Sequence, residues 1–211
     1  MSENFEPALG AAMASLSVRG VLAGHRVIQP GDEKALLETE AITVTSAVPE
    51  KRRASGAARI AGRALLNALG LPESAIPKRV SGAPLWPVGV TGSFAHDQLV
   101  AVAAAGLTRD VAALGIDVEP AMPLPADMLD LVTTARERIG IDQDPLCGRV
   151  LFVVKEAVYK AAQPLDAIFL DYLDIEVDLA TRKAVTRTGR TLDIRYCVAT
   201  HIVAVAWMGA T

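Results

Sequence analysis

Two carboxylates stand two residues apart inside an apolar run, in the segment LGIDVEP that begins at Leu114. Side chains of a β-strand alternate between its faces, so Leu114, Ile116 and Val118 would face a core while Asp117 and Glu119 share the opposite face. Their Cα atoms would lie about 7 Å apart, close enough for both carboxylates to reach one Mg2+ ion. The same pair also fits a strand end that charge keeps soluble.

A second charged group lies in the segment FVVKEAVYKA. On a helix, Phe152, Glu156 and Lys160 would lie on one face, while Lys155 projects about 100° away. Glu156 could be a third carboxylate for the ion or a general base, and Lys160 could neutralise a phosphate. The alternative is a Glu-to-Lys pair that only stabilises the helix, by about 0.3 kcal/mol.

Further candidates lie upstream of these segments. His96 follows a Gly-Ser turn in GSFAHD and precedes a predicted strand, a position from which an imidazole can enter a cleft and contact a phosphate. The segment KRRASGAARIAGR could bind an anionic group or form a solvated face. Its cations are Lys51, Arg52, Arg53, Arg59 and Arg63.

The composition of the 211-residue chain limits the classes of function. A hydrophobic content of 51% can bury the core of one large domain or of two small domains that share an interface. The formal charge of -3 argues against general nucleic-acid binding. The longest apolar run, from Leu99 to Leu107, is less than half of a bilayer span, so we expect a cytoplasmic protein without a membrane partner. Cys147 and Cys197 are expected to be buried thiols.

The elements that must position these groups follow from breakers and periodicity. A helix of about 20 residues is predicted from Pro49, after a strand around GVLAGHRVI and a short helix around EKALLETE. LVAVAAA and VAALGIDVE are predicted strands, joined by a connection of hairpin length, GLTRD. A second helix is expected between Pro145 and Pro164, and three antiparallel strands follow it. This order predicts an α+β fold with helices packed on antiparallel sheet.

Taken in order, the basic helix, GAPLWPVGVTGSFAH, LGIDVE and FVVKEAVYKA resemble the 4'-phosphopantetheinyl transferases, specifically the two-lobed type that includes Sfp and enterobactin synthetase component D. The resemblance runs from about Val48 to Ala162. It implies two similar α/β lobes with a pseudo-twofold relation, each an antiparallel sheet packed by a long helix. Residues 1–107 would form the N-terminal lobe and residues 108–211 the C-terminal lobe, with the active site at their interface.

The resemblance also implies an activity. Such an enzyme uses Mg2+, or alternatively Mn2+, to transfer the 4'-phosphopantetheine arm of coenzyme A to a serine of an acyl, peptidyl or polyketide carrier protein. Adenosine 3',5'-bisphosphate is released. We expect a cytoplasmic monomer that acts in siderophore or secondary metabolite biosynthesis, without nucleic-acid or membrane partners. The alternative is a non-catalytic relative that binds coenzyme A or a carrier protein.

By motif position, Asp117 and Glu119 correspond to the metal-binding pair of the family, and Glu156 to its third carboxylate. The carrier serine would attack the phosphorus nearest pantetheine, with Glu156 or a metal-bound water taking the proton. Lys160 matches the lysine that contacts the transferring phosphate. The coenzyme A phosphates and nucleotide would be bound by His96, Lys160 and the basic helix through Lys51, Arg52 and Arg59.

The sequence departs from the family pattern near the nucleotide. Ala95 stands where relatives usually have a serine, and Gly82 with Ala83 where relatives often carry a cation. Asp97 is also atypical, and its carboxylate could orient His96 or keep it protonated. These departures concern affinity for coenzyme A more than reaction type.

Overall fold

The computed structural model describes residues 5–139, 141 and 144–210 of the chain, and it is an α+β structure built on two antiparallel sheets. The helices are α1 (Phe5–Met13), α2 (Glu38–Thr43), α3 (Pro49–Ala68), α4 (Ala126–Val132) and α5 (Cys147–Asp166). Short 3₁₀ helices cover Ala14–Leu16, Asp32–Ala35 and Tyr172–Asp174. The strands are β1 (Leu22–Val27), β2 (Val90–His96), β3 (Val100–Leu107), β4 (Val111–Pro120), β5 (Ile175–Asp178), β6 (Lys183–Thr186), β7 (Thr191–Val198) and β8 (His201–Gly209).

The first sheet has the order β1-β3-β2 and packs against α3. Pro49 opens α3 at a position where the missing N–H costs nothing, and alanines keep the helix slim. Leu65 and Leu66 pack with Ala103 and Ala105 of β3. The predicted basic helix is therefore confirmed, and its apolar side packs on the first sheet.

The second sheet has the order β4-β8-β7-β6-β5 and packs against α5. Side chains predicted to share one helix face are buried in this core, namely Val150, Val154, Ala157, Val158 and Ala161. The helix backbone comes very close to β4 because position 115 is glycine: a Cβ there would overlap the Ala157 carbonyl oxygen. The β4 carboxylates and the polar face of α5 are consequently held side by side.

The two sheets meet through the other face of β4. Leu114, Ile116 and Val118 are buried in a core shared with Val100 and Val102 of β3. The expected alternation of β4 is therefore confirmed. Because this face touches the first sheet and the opposite face touches α5, β4 is buried on both sides.

The prediction that β3 and β4 form a hairpin is wrong. β3 already has hydrogen-bonded neighbours on both edges, β1 and β2, so it has no edge left for β4. β4 pairs instead with β8, with Asp117 opposite Ala204 and Glu119 opposite Ile202. The short GLTRD connection thus carries the chain from one sheet to the other.

Two helix boundaries also differ from expectation. Pro164 lies inside α5, which runs on to Asp166, because a proline in the last turn leaves the closing bond from Ala167 N to Gln163 O intact at 2.9 Å. The predicted helix around EKALLETE is divided, since the Glu40 carboxylate accepts from Leu37 N at 2.8 Å and starts a new helix there. Within the described residues, no helix is long and apolar enough to cross a membrane.

We expect Gly115→Ala to lower the free energy of unfolding by about 3 kcal/mol, because the new methyl group would push α5 away from β4. Urea unfolding followed by circular dichroism measures this. Gly209→Ala is the matched control in the neighbouring strand, where a Cβ would meet nothing within 4 Å, and it should change stability by less than about 1 kcal/mol. Equal stability of the two variants would contradict the close approach.

Candidate active site

The acidic residues of β4 lie against the polar face of α5, and each has a partner of its own. Asp117 is 7% exposed, and its Oδ1 accepts a hydrogen bond from Lys160 Nζ at 2.6 Å. Glu119 Oε2 accepts from Arg149 Nη1 at 3.3 Å. As the sequence spacing predicted, Asp117 and Glu119 lie on one face of β4. Lys160 lies on the face of α5 that packs beside them.

The carboxylates of β4 have raised pKa values, chiefly because they are buried. Burial raises the pKa of Asp117 to about 6; Lys160 opposes this shift, whereas Glu156 and Glu119 add to it. Burial also raises the pKa of Glu119, with Arg149 opposing the shift. Buried acids that lie close to other negative charges are a place where an added cation is favoured.

The donor set fits a hard divalent ion. Asp117, Glu119 and Glu156 offer only oxygen atoms, the donors that Mg2+ prefers. In the arrangement described, no group of three or more His, Cys, Asp and Glu residues among residues 5–139, 141 and 144–210 is close enough to hold a metal ion. Each carboxylate is turned toward a protein donor instead, so metal binding would require rotation of these side chains.

A cavity of about 840 Å³ opens beside Glu119, whereas Asp117, Glu156 and Lys160 are not among the described residues that line it. Lys51 and Arg53 of α3 line it, together with Glu119 and Pro120 at the end of β4. His96, the last residue of β2, also lines it. The volume is within the range of small-molecule sites, and the walls come from both sheets. The cavity therefore joins a basic helix start, an imidazole and an acidic strand end.

The surroundings of His96 lower the pKa of its imidazole. Partial burial lowers the pKa of His96, and the positive charges of Lys160 and Lys78 lower it further, against opposing contributions from Asp97. Asp97 does not keep the ring protonated, contrary to one expectation. Its side chain points to His201 instead, and only its backbone carbonyl approaches His96 Nδ1, at 3.3 Å.

The predicted cations of α3 are in different environments. Lys51 is exposed and lines the cavity. Arg52 Nη1 donates to the carbonyl of Val44 at 2.6 Å. Arg59 is 5% exposed and donates to Ile76 O and Ser55 O at 3.0 Å each, so the structure does not bring it into the cavity. Its burial follows from its position on the sheet-facing side of α3, where its guanidinium lies 5.7 Å from the centre of a phenylalanine ring of β2.

Two protein-family models match the sequence of this chain. The 4'-phosphopantetheinyl transferase N-terminal domain matches residues 38–106, and the 4'-phosphopantetheinyl transferase superfamily matches residues 113–206. A relative, 4'-phosphopantetheinyl transferase Npt of Nocardia iowensis, is 36% identical over 161 residues, which cover 75% of this chain and 72% of that protein. The chain belongs to the 4'-phosphopantetheinyl transferase superfamily.

Two further members of the superfamily are similar to it. The transferase Svp of Streptomyces mobaraensis is 39% identical over 155 residues, covering 70% of this chain and 63% of Svp. The transferase PptT of Mycobacterium tuberculosis is 33% identical over 149 residues, covering 69% of this chain and 66% of PptT. The matched segment therefore spans slightly less than two thirds of these two relatives.

This superfamily member also has a tyrosine that sequence reasoning missed. Tyr172 Oη donates to Glu156 Oε1 at 2.6 Å. Burial and the Glu156 carboxylate both raise the pKa of Tyr172, so the phenol stays protonated and remains a donor. No short-range pattern relates Tyr172 to Glu156, because they belong to different elements. One oxygen of Glu156 is thus occupied while Oε2 is left for other contacts.

Lys155 holds the backbone of Tyr172 in place. Its ammonium is 0% exposed and donates to Glu137 Oε2 at 2.7 Å, Val132 O at 2.7 Å and Tyr172 O at 3.0 Å. Burial lowers the pKa of Lys155, and Glu137 offsets part of that shift. Within the Lys-Glu motif, Glu156 therefore bonds to Tyr172 and lines a separate cavity of about 120 Å³, while Lys155 ties together the loops around it. Arg149 was also missed, although its spacing to Glu156 is that of two helical turns.

The raised pKa of Asp117 predicts a pH effect in the absence of divalent metal. A neutral Asp117 stabilises the fold fully below its ordinary value of 3.8, and this stabilisation is lost as pH rises through about 6. In EDTA, the unfolding free energy of the wild type relative to Asp117→Asn should fall by about 2 kcal/mol between pH 4 and pH 7. Urea unfolding of both proteins across this range measures the difference. A difference that stays constant would contradict the electrostatic description.

Proposed function

We propose that this chain is an active enzyme of the two-lobed, Sfp type. It transfers the 4'-phosphopantetheine arm of coenzyme A to a serine of an acyl, peptidyl or polyketide carrier protein and releases adenosine 3',5'-bisphosphate. Membership of the superfamily supports the reaction class. The observation that carries the proposal is that Glu119, His96 and Lys51 line one cavity, while Asp117, two residues before Glu119 on β4, is bonded to Lys160.

Mg2+, or Mn2+ in its place, would be held by Asp117, Glu119 and Glu156. When bound, the ion supplies positive charge that stabilises the diphosphate as negative charge builds up on the leaving group. The negative charges of Glu156 and Glu119, which add to the burial that raises the pKa of Asp117, support this assignment. Lys160 is well placed to share that task, because it can exchange its contact with Asp117 for a phosphate oxygen.

The chain's own residues provide the remaining steps. The serine Oγ of the carrier attacks the phosphorus nearest pantetheine, and the bond from that phosphorus to the bridging oxygen of the diphosphate breaks. Glu156 takes the serine proton on Oε2, since Tyr172 occupies Oε1. His96 and Lys51, which line the cleft, would bind the phosphates and nucleotide of coenzyme A, and Arg52 would join them by leaving the Val44 carbonyl. Arg59 does not line the cleft but stabilises the packing of α3 by donating to the Ile76 carbonyl.

The proposal includes a division into two lobes with a pseudo-twofold relation. The N-terminal lobe is residues 1–107 and the C-terminal lobe residues 108–211. Support comes from the two sheets, each with a long helix packed on it, and from the family models, whose matches end and begin on either side of this boundary. The substrates would meet at the contact between the lobes.

The proposed setting is a cytoplasmic monomer that activates carrier proteins of siderophore or other secondary metabolite biosynthesis. Many carrier domains present an acidic recognition surface, and the cations around the cleft could steer it by long-range attraction. The expectation of a monomer rests on the fact that both walls of the cavity come from one chain.

Intact-mass spectrometry tests the activity. An apo carrier protein incubated with this protein, coenzyme A and Mg2+ should gain one phosphopantetheine group, and EDTA should prevent the gain. Asp117→Ala should abolish transfer, whereas Asp193→Ala should not, because Asp193 forms an exposed pair with Lys183 on the second sheet. Peptidyl, polyketide and fatty-acid carriers should all be tried. Measurable coenzyme A binding without transfer to any of them would indicate a non-catalytic relative.

Glu156→Gln should lower kcat by about 10²- to 10⁴-fold, because an amide cannot take the serine proton. Tyr172→Phe leaves the carboxylate in place but unanchored, so we expect a smaller loss of about tenfold in kcat. Tyr196→Phe, at a half-exposed tyrosine of β7, is the matched control and should behave as wild type. Steady-state kinetics with a saturating carrier protein distinguish the three variants. Full turnover by Glu156→Gln would exclude Glu156 as the base.

A further inference from the structure

A buried pair of side chains connects the two sheets at the cleft. His201 Nε2 and Asp97 Oδ2 lie 2.8 Å apart, and the two side chains are only 3% and 13% exposed. Asp97 follows the last residue of β2, whereas His201 is the first residue of β8. The contact therefore joins the β2–β3 turn of the first sheet to the β7–β8 turn of the second.

On the first sheet, the Asp97 carboxylate also fixes the turn that carries His96. Its Oδ1 accepts from the backbone amides of Leu99 and Val100 at 2.7 Å each. The backbone amide of Asp97 donates to the Val100 carbonyl at 3.0 Å. With one oxygen on the turn and the other on His201, both carboxylate oxygens have donors, and the backbone next to His96 is held in one conformation.

On the second sheet, His201 is fixed relative to the acidic end of β4. It lies opposite Pro120 in the ladder between β4 and β8, and the next residue pair is Glu119 with Ile202. The amide of Ala121 donates to the carbonyl of Thr200 at 3.1 Å, which extends the pairing past the strand end. The contact of His201 with Asp97 thus links the backbone beside Glu119 to the backbone beside His96.

The charge state of Asp97 determines which of the two residues donates the hydrogen bond. Burial acts to raise the pKa of Asp97, but the hydrogen bonds from His201, Val100 and Leu99 outweigh it and hold the pKa below its usual range. An ionised carboxylate only accepts, so His201 donates through an Nε2–H. Burying such a pair is a poor way to gain stability, since apolar side chains of similar volume often serve as well. Geometric specificity is what such a pair adds.

We propose that Asp97 and His201 are positioning residues that set the separation of His96 and Glu119 across the cleft, and thereby the fit of the coenzyme A diphosphate between them. The inference rests on the proposed function, because it assigns the diphosphate to that cleft. Asp97 lines the same cavity, but both of its carboxylate oxygens are bonded within the protein, to His201 and to the amides of the turn. The effect of Asp97 and His201 is to hold the phosphate-binding wall and the acidic wall at a fixed distance before the substrate arrives.

The test compares variants at His201 for binding of coenzyme A and for turnover. His201→Leu keeps much of the volume and removes the donor, and it should weaken coenzyme A binding, measured calorimetrically in EDTA, about tenfold. KM for coenzyme A should rise by a similar factor, with a smaller change in kcat. His201→Gln places an amide N–H close to the position of Nε2 and should restore binding to within about threefold of wild type.

A matched control separates positioning from general loss of stability. Asp166 is a similarly buried acid that accepts from Arg190 and Thr188 at the far end of α5. Asp166→Asn should lower the melting temperature without changing coenzyme A binding. Asp97→Asn provides a second route if His201→Leu does not fold, because its carbonyl keeps the amide bonds of the turn while the acceptor for His201 is lost. It too should weaken coenzyme A binding.

The outcomes are distinguishable. If wild type binds coenzyme A, and both His201→Leu and Asp97→Asn bind it equally well, the positioning role is wrong while the proposed function stands. The role is also wrong if His201→Gln binds as poorly as His201→Leu, or if Asp166→Asn loses binding to the same extent. If wild type itself does not bind coenzyme A, the proposed function fails and this inference fails with it.

Discussion

The close packing of α5 on β4 at Gly115 is the constraint on which the site depends. The helix backbone occupies the space where a side chain would stand, which brings Ala157 and Ala161 against the strand. Asp117 on the strand then meets Lys160 on the helix at 2.6 Å. Neither element alone has the set of groups that could bind a diphosphate and a cation. Their register comes from small residues at the contact rather than from the charged residues themselves.

This arrangement concentrates negative charge in a poorly solvated place, and the protein compensates with local donors. Lys160, Arg149 and Tyr172 each contact one of the three carboxylates. The compensation is incomplete, as the raised pKa of Asp117 indicates. A site of this kind keeps a residual attraction for a cation that arrives with a phosphate ligand. Residual repulsion at a functional site, balanced by stability elsewhere in the fold, is a common feature of enzymes.

The sequence was most informative where structure is decided locally. The alternation of Leu114, Ile116 and Val118 with Asp117 and Glu119 is a property of a single strand, so it could be predicted from the segment alone. The long helices were also predictable from local sequence: α3 from its opening proline, its helix-forming residues and the glycine that follows it, and α5 from apolar residues at helical spacing. Motif order supplied what periodicity could not, namely that these segments belong to one site.

Features that depend on distant partners could not be predicted. The length of the GLTRD connection does not reveal that both edges of β3 are already paired, so the expected hairpin was wrong. In the sequence, Arg59 is indistinguishable from a surface cation. It is buried only because α3 packs on the first sheet, and there its guanidinium donates to a backbone carbonyl. Asp97 and His201 are separated by 104 residues, and no local pattern relates them. Asp97 was expected to act on His96, but its carboxylate accepts a hydrogen bond from His201 instead.

The central claim is that Asp117, Glu119 and Glu156 form one cation site that is completed by coenzyme A. Electron paramagnetic resonance of Mn2+ tests it most directly, because free and bound ions give different signals. We expect one Mn2+ to bind per chain when coenzyme A is present, with much weaker binding without coenzyme A and none at this site in Asp117→Ala. Equal Mn2+ binding by wild type and Asp117→Ala, or no binding by wild type with coenzyme A, would contradict the account.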